Sequence, residues 1–344
     1  MTTRRVLVPL AISPVLPPRG TQVRSVSGHS MGTSWSARIV MRDGGAAATL
    51  SLQANLQQEL DDVVSQMSHW EDQSDLCRFN RAAPGTWQRL PDGFFHVLRY
   101  ALGVAEASGG AYDPCAGALV QRWGFGARER HDADGFTVPS ADDIKAIQAR
   151  PGWRAVQLDP EGRRALQPGG VQLDLSSVAK GFAVDQLARC LDARGLHHFL
   201  VEVGGELRGA GVKPDGEPWW VALEDVPGAG ALSNHHGAET VAALHCLALA
   251  TSGDYRNFYT LGARTASHTL DPRSGYPIDN QVASVSVLHA DCMAADALST
   301  ALTVLGVEDG LRFAEQQALA ARFLVRHGGA LTESCSSAFK DMLQ

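Results

Sequence analysis

The stretch DLSSVAKGFAVDQLARCLDARGLHHFLVEVGGELRGAG, residues 174–211, decides the fold. Ser176 or Ser177 is placed to cap a helix that runs to about Asp192 and stops at Gly195. Phe199 to Val203 follows as a buried apolar strand, and Val171 to Leu173 reads as a strand before the helix. Strand, helix and strand in this order make one α/β unit. The glycines of residues 201–211 match neither GxGxxG nor GxxxxGK[ST], and no helix follows them, so a Rossmann dehydrogenase is excluded.

On either side of this unit the pattern is mixed. Ser34 to Met41 alternates, with Trp35, Ala37, Ile39 and Met41 on one face of a strand. Ala47 to about Ser68, Phe94 to Ala107 and Ala141 to Ala149 carry helical spacing. Trp153 to Leu158, Trp219 to Leu223, Val241 to Leu249, His268 to Leu270 and Val282 to His289 read as strands. Helices from about Cys292 to Leu305 and from Asp309 to Ala318 follow them, and no internal repeat is visible. The expected class is α/β (α+β mixed). Residues 1–24 read as an extended N-terminal arm, and residues 25–344 as a single domain.

Composition bounds the function. With 344 residues, 44% hydrophobic and 19% charged, the chain can bury a sizeable core. A formal charge of −7 and no basic stripe argue against nucleic acid. Cys77, Cys115, Cys190, Cys246, Cys292 and Cys335 contain no CxxC pair, which points to free thiols in a reducing compartment. No segment approaches the ~20 apolar residues of a membrane span. Arg4 and Arg5 precede an apolar run from Val6 to Ile12, but Pro9, Pro14, Pro17 and Pro18 interrupt the region. Neither a small-residue cleavage site nor a lipid-anchor cysteine follows, so a cytoplasmic location is expected.

Three segments carry chemistry. In DLSSVAKGFAVD an acid precedes a helix start and Lys180 stands in its first turn, an arrangement that suits a phosphate, with Gly181 permitting a close backbone approach. Asp174 and Ser177 read equally well as ordinary caps, and Lys180 as solvated. In DCMAADALSTALTVLG, residues 291–306, Asp296 and Thr300 fall four apart on one helix face. Together they offer two hard oxygen ligands suited to Mg²⁺, or else a solvated polar stripe. His268, just before the Asp271-Pro272 turn, is a candidate base or a histidine that satisfies a turn.

Taken together, MGTSW (31–35), SDLCRFN (74–80), YDPCAGALVQRWGFG (112–126), DLSSVAKGFAVD, VEVGGELRGAG (201–211), ATSGDYRNFY (250–259), SHTLDPRSGYP (267–277) and ADALSTALTVLG (295–306) resemble the FAD:protein FMN transferases, the ApbE family. The blocks occur in order from about residue 29 to the C-terminal region. The resemblance implies two entwined lobes with FAD as substrate in a cleft between them and Mg²⁺ on its diphosphate. It assigns Asp296, Thr300 and the main-chain carbonyl of Ser177 to the metal. It assigns Asp174, Lys180, Met31, Tyr112, Asp113, Pro114 and Leu270 to FAD, and His268 to deprotonation of the incoming threonine.

The implied catalytic set is therefore His268, Asp296 and Lys180, and the implied partner is a flavoprotein bearing a Thr/Ser motif. Cys115 stands where many relatives carry threonine, and Ser176-Ser177 replaces a common Gly pair. Many relatives act outside the cytoplasmic membrane, so a periplasmic location is the family's implication. The chain then either serves a cytoplasmic acceptor or has a different true start. Hydrolysis of FAD to FMN and AMP by the same site, and FAD carriage without catalysis, are the competing readings.

Overall fold

The computed structural model describes residues 4–12, 15–226, 239–261, 264–327 and 330–344. In chain order the elements are β1 (Arg4–Leu7), β2 (Thr21–Ser30), β3 (Thr33–Arg42), α1 (Gly45–Met67), α2 (Asp75–Arg81), β4 (Thr86–Arg89), α3 (Asp92–Ala107), α4 (Gly117–Arg122) and α5 (Ala141–Gln148). Next come β5 (Leu158–Asp159), β6 (Arg164–Gln167), α6 (Ala179–Asp192), β7 (Phe199–Val203), β8 (Glu206–Ala210), β9 (Trp219–Ala222), β10 (Glu239–Leu244) and β11 (Leu247–Gly253). The remainder are β12 (Phe258–Leu261), β13 (Arg264–Ser267), β14 (Leu270–Asp271), β15 (Tyr276–Pro277), β16 (Val282–His289), α7 (Cys292–Gln316), β17 (Ala320–His327), β18 (Ala330–Cys335) and α8 (Ser337–Asp341).

The chain divides into two compact units that alternate along the sequence. One is built from residues 1–61, 180–253 and 281–344, the other from 62–179 and 254–280. In the first, an eight-stranded sheet runs in the order β18-β17-β16-β11-β8-β7-β3-β2. Its pairings are all antiparallel, and three of them, β3-β7, β8-β11 and β11-β16, join strands separated in the chain by other strands. Helix α7 packs on β11, β16 and β17. A three-stranded sheet, β1-β10-β9, shares with α8 and the large sheet a core of Leu7, Trp219, Leu244, Leu249, Leu288 and Phe339. Strand β16 is therefore buried at every position but the last, and its Ser286 is satisfied by Thr251, hydroxyl to hydroxyl at 2.8 Å.

Folded structure begins earlier than the alternation at Ser34 suggests. Of the expected arm, residues 1–3 and 13–14, including Pro14, lie outside the described residues. Arg4–Leu7 pair in parallel with β10, and β2 opens at Thr21. The reason is burial: Leu7 is wholly enclosed, and an extended segment beside an open strand satisfies its backbone groups by joining the sheet. Arg5 then reaches Glu333 at 2.7 and 2.9 Å, and Glu333 accepts from Arg322 Nε at 2.6 Å. Burial alone would raise the Glu333 carboxyl, but Arg322 and Arg5 together hold it below the usual glutamate range.

Other expectations change in detail. Trp153–Leu158 is a 3₁₀ turn over Trp153–Ala155, because Val156 N–H returns to the Trp153 carbonyl at 3.1 Å instead of reaching a neighbouring strand. Val171–Leu173 makes only one bridge, Gln172 to Ala116, while the Asn80 amide takes the place of a partner strand for Leu173. The apolar run Val241–Leu249 is cut at Cys246, whose φ of 54° turns the chain from the small sheet into the large one. The two helices expected over residues 292–305 and 309–318 are present within 292–316, and Gly306, with φ 79°, makes the break between them.

The second unit carries α2 to α5, a small sheet β4-β6-β5, and two hairpins, β12-β13 and β14-β15. Leu119, Trp123, Ile144 and Leu270 form one of its apolar clusters.

Candidate active site

In the first unit, α6 and α7 begin against each other and cap each other. The Gly181 N–H, in the first turn of α6, donates to Asp296 Oδ2 on α7 at 2.9 Å. In return Asp185 of α6 accepts the first N–H groups of α7, from Cys292 at 3.1 Å and Met293 at 2.9 Å. Asp291 occupies the cap position of α7 but makes no side-chain cap bond, so Asp185 does that work from another helix. A Cβ on Gly181 would stand 2.3 Å from the Cys292 carbonyl oxygen and 2.8 Å from Asp296 Cβ. Glycine is thus needed for the approach of α7, where the sequence suggested the approach of a phosphate.

Lys180 and Glu206, at the start of β8, form an ion pair at 2.5 Å. Glu206 is 2% exposed and Lys180 about one-third, so the pair runs from the interior to the surface. The lysine charge is thus held by a buried carboxylate at one end while its side chain reaches the surface. Arg208 makes the parallel pair with Asp185 and lies 3.6 Å from Asp291. Burial, with Asp185 and Asp296 beside it, pushes the Cys292 thiol well above its ordinary range. All six cysteines are free thiols.

Asp296, 4% exposed, and Thr300 stand one turn apart on α7. Ser252 at the end of β11 lies 3.0 Å from Thr300 Oγ1 and 2.8 Å from Ser299 Oγ, which fixes the hydroxyl row. Among the described residues no group of three or more His, Cys, Asp or Glu side chains could hold a metal. A cation here would therefore depend on mixed oxygens. A buried carboxylate oriented by a main-chain N–H, one turn from a hydroxyl, fits Mg²⁺, a hard ion that usually takes only one or two carboxylates.

In the second unit, Asp174 and the 112–114 turn are joined. Asp174 N–H donates to the Pro114 carbonyl at 2.8 Å, and Asp174 Oδ1 accepts from Ser176 N–H at 2.8 Å and Ser176 O–H at 2.6 Å. His69 Nδ1 lies 3.8 Å from that carboxylate. Tyr112 is buried, and Asp113 accepts the Cys115 N–H at 2.7 Å. Asp113 and Cys115 line a cavity of about 360 Å³ with Leu119, Gln148, Arg150 and Arg273. Burial raises Asp113 from 3.8 to about 6 against the pull of the Cys115 N–H, and it raises the Cys115 thiol well above its ordinary value.

His268 belongs to the same unit, in the bend between β13 and β14. Its Nδ1 lies 2.9 Å from the Asn257 carbonyl oxygen. A carbonyl only accepts, so Nδ1 carries the proton and a neutral ring presents Nε2 as its basic nitrogen. The Phe125 ring meets the imidazole edge-on with centroids 6.3 Å apart. Leu270 pairs with Pro277 in the β14-β15 hairpin. Ser177 also lies in this unit and is half-buried. Met31 is in the first unit, at the tip of the β2-β3 hairpin, where Met31 and Gly32 have φ 52° and 71°. That geometry is costly for a side chain and is held by the long ladder on either side.

The sequence reading missed Glu206, Asp185, Arg208 and Ser252. A signal was present for Asp185: with Gly181 and Ala188 it occupies an i, i+4, i+7 stripe that is otherwise small or apolar. A carboxylate on such a stripe requires a buried partner.

The ApbE family model matches residues 31–323, and the chain belongs to that family. It is 33% identical to the FAD:protein FMN transferase of Haemophilus influenzae over 98% of this chain and 97% of that one. It is 33% identical to the Vibrio cholerae protein of the same name over 92% of each. Among solved structures, the apo flavinyl transferase ApbE of Pseudomonas stutzeri superposes with a TM-score of 0.84 at 36% identity, covering 94% of this chain and 97% of that one. Among the described residues no helix is long and apolar enough to cross a membrane.

Proposed function

We propose that this chain is a transferase that moves FMN from FAD onto a threonine or serine hydroxyl of a target flavoprotein and releases AMP. The observation that carries the reading is the Asp296 carboxylate, held by Gly181 N–H one turn from the Thr300 hydroxyl, in a chain of this family. In the first unit Lys180, kept in place by Glu206, and Met31 are the proposed FAD contacts. In the second unit Asp174, Leu270 and the Tyr112, Asp113 and Pro114 turn take that role.

The chemistry follows from charge. The acceptor oxygen forms a bond to the FMN phosphorus as the bridging bond to AMP breaks, and AMP leaves with the electron pair. His268 Nε2 takes the hydroxyl proton, which its Nδ1 bond to Asn257 prepares it to do. Lys180 offsets negative charge growing on the phosphoryl oxygens. In the first unit Asp296 and Thr300 would hold Mg²⁺, which would supply further charge compensation.

Incubation with FAD and Mg²⁺, with and without an acceptor peptide, tests the proposal. AMP should appear with the acceptor while the peptide gains flavin mass. Equal AMP in both tubes with no flavinated peptide would make the protein an FAD hydrolase. Undiminished transfer in chelator would remove the metal from the account.

A further inference from the structure

We propose that Asp185 is a positioning residue that sets where Asp296 stands, an inference that rests on Asp296 acting as a cation ligand. Asp185 is 1% exposed and takes no part in the proposed chemistry. Its two oxygens each take one of two consecutive N–H groups, Oδ1 from Cys292 and Oδ2 from Met293. Those groups are four and three residues before Asp296, so they belong to the turn directly beneath its carboxylate.

Gripping two consecutive N–H groups resists both sliding and rotation. A slip of one residue would turn α7 by about 100° and carry it about 1.5 Å along its axis, taking Asp296 off Gly181. Two further contacts close the clamp. Arg208 meets Asp185 and lies 3.6 Å from Asp291, and Gly181 leaves no room between α6 and the Cys292 carbonyl. The arrangement is reciprocal: Asp185 holds the start of α7, and Asp296 holds the start of α6.

Asp185→Asn keeps the shape but replaces one acceptor with an NH₂ that faces an N–H and a guanidinium. The probe is Mn²⁺, followed by electron paramagnetic resonance on the full chain with ADP, which supplies a diphosphate but no flavin to transfer. Mn²⁺ affinity should fall about tenfold, within the range for groups that orient a metal's ligands. The Mg²⁺ needed for half-maximal AMP release should rise by a similar factor, and excess Mg²⁺ should restore turnover. Arg208→Gln, which keeps both N–H acceptors, should move both quantities the same way by a smaller factor. It carries the test if Asp185→Asn does not fold.

A lower melting temperature with wild-type Mn²⁺ affinity in the folded variants would overturn the inference and leave Asp185 as a purely structural cap. If the wild-type protein bound no Mn²⁺ and needed no divalent ion, the metal reading itself would fall. That result appears in the wild-type arm alone.

Discussion

Asp113→Asn should stabilise the protein at alkaline pH while doing little in acid. Burial beside the cavity raises the Asp113 carboxyl from 3.8 to about 6, although Cys115 and Arg154 pull the other way. The native state therefore holds this proton more tightly than the unfolded chain. Its contribution to stability is fully present below about pH 4 and is lost as pH rises through about 6. A shift of about two units corresponds to about 3 kcal/mol, which partial solvent access reduces to about 2 kcal/mol. Asparagine removes the charge and keeps the oxygen that accepts the Cys115 N–H. Urea unfolding of both proteins should show a gain of about 2 kcal/mol at pH 8 that shrinks below about 1 kcal/mol at pH 4.5. An equal gain at both values, or a loss at pH 8, would refute the reasoning.

Four further outcomes are expected. Asp296→Ala should abolish turnover with an unchanged far-ultraviolet circular dichroism spectrum, and it should cost about 1 kcal/mol in urea because the Gly181 N–H loses its acceptor. His268→Ala should slow transfer by about 10² to 10⁴ while equilibrium dialysis finds FAD affinity unaltered; unchanged transfer would remove it as the base. Gly181→Ala should lower the melting temperature despite alanine's better helix propensity, because the Cβ would stand 2.3 Å from the Cys292 oxygen; the cost should be about 1 to 3 kcal/mol. Glu333→Ala should cost about 3 kcal/mol in urea by leaving Arg322, 1% exposed, with only the exposed Asp225 carboxylate at 3.7 Å, whereas Arg5→Ala should cost less.

Much of this architecture was legible in the residues, and what was not has identifiable causes. The long helices declared themselves because Leu56, Leu60, Val63 and Met67 repeat at helical spacing and all are buried. Strands β4 and β6 escaped notice because each has four residues and gains its identity only from pairing across some eighty positions. The same division runs through the site. Asp296 and Thr300 are one turn apart, so their kinship is local and readable. Lys180 and Glu206 are 26 residues apart, and Asp185 meets Cys292 across 107, distances at which a helical or strand period says nothing. The Asn257 carbonyl that orients His268 belongs to the main chain and leaves no mark on residue identity. The N-terminal strand was hidden for another reason: the prolines that read as breaks lie beyond Arg4–Leu7, outside the paired residues.

The most direct test is intact-mass measurement of a candidate flavoprotein coexpressed with this chain, beside a parallel culture carrying Asp296→Ala. A mass increase equal to one covalently bound FMN, mapped to a threonine or serine and absent from the Asp296→Ala culture, is the expected result. Acceptors of unmodified mass in the wild-type culture, with free FMN and AMP accumulating from FAD in the extract, would contradict the account.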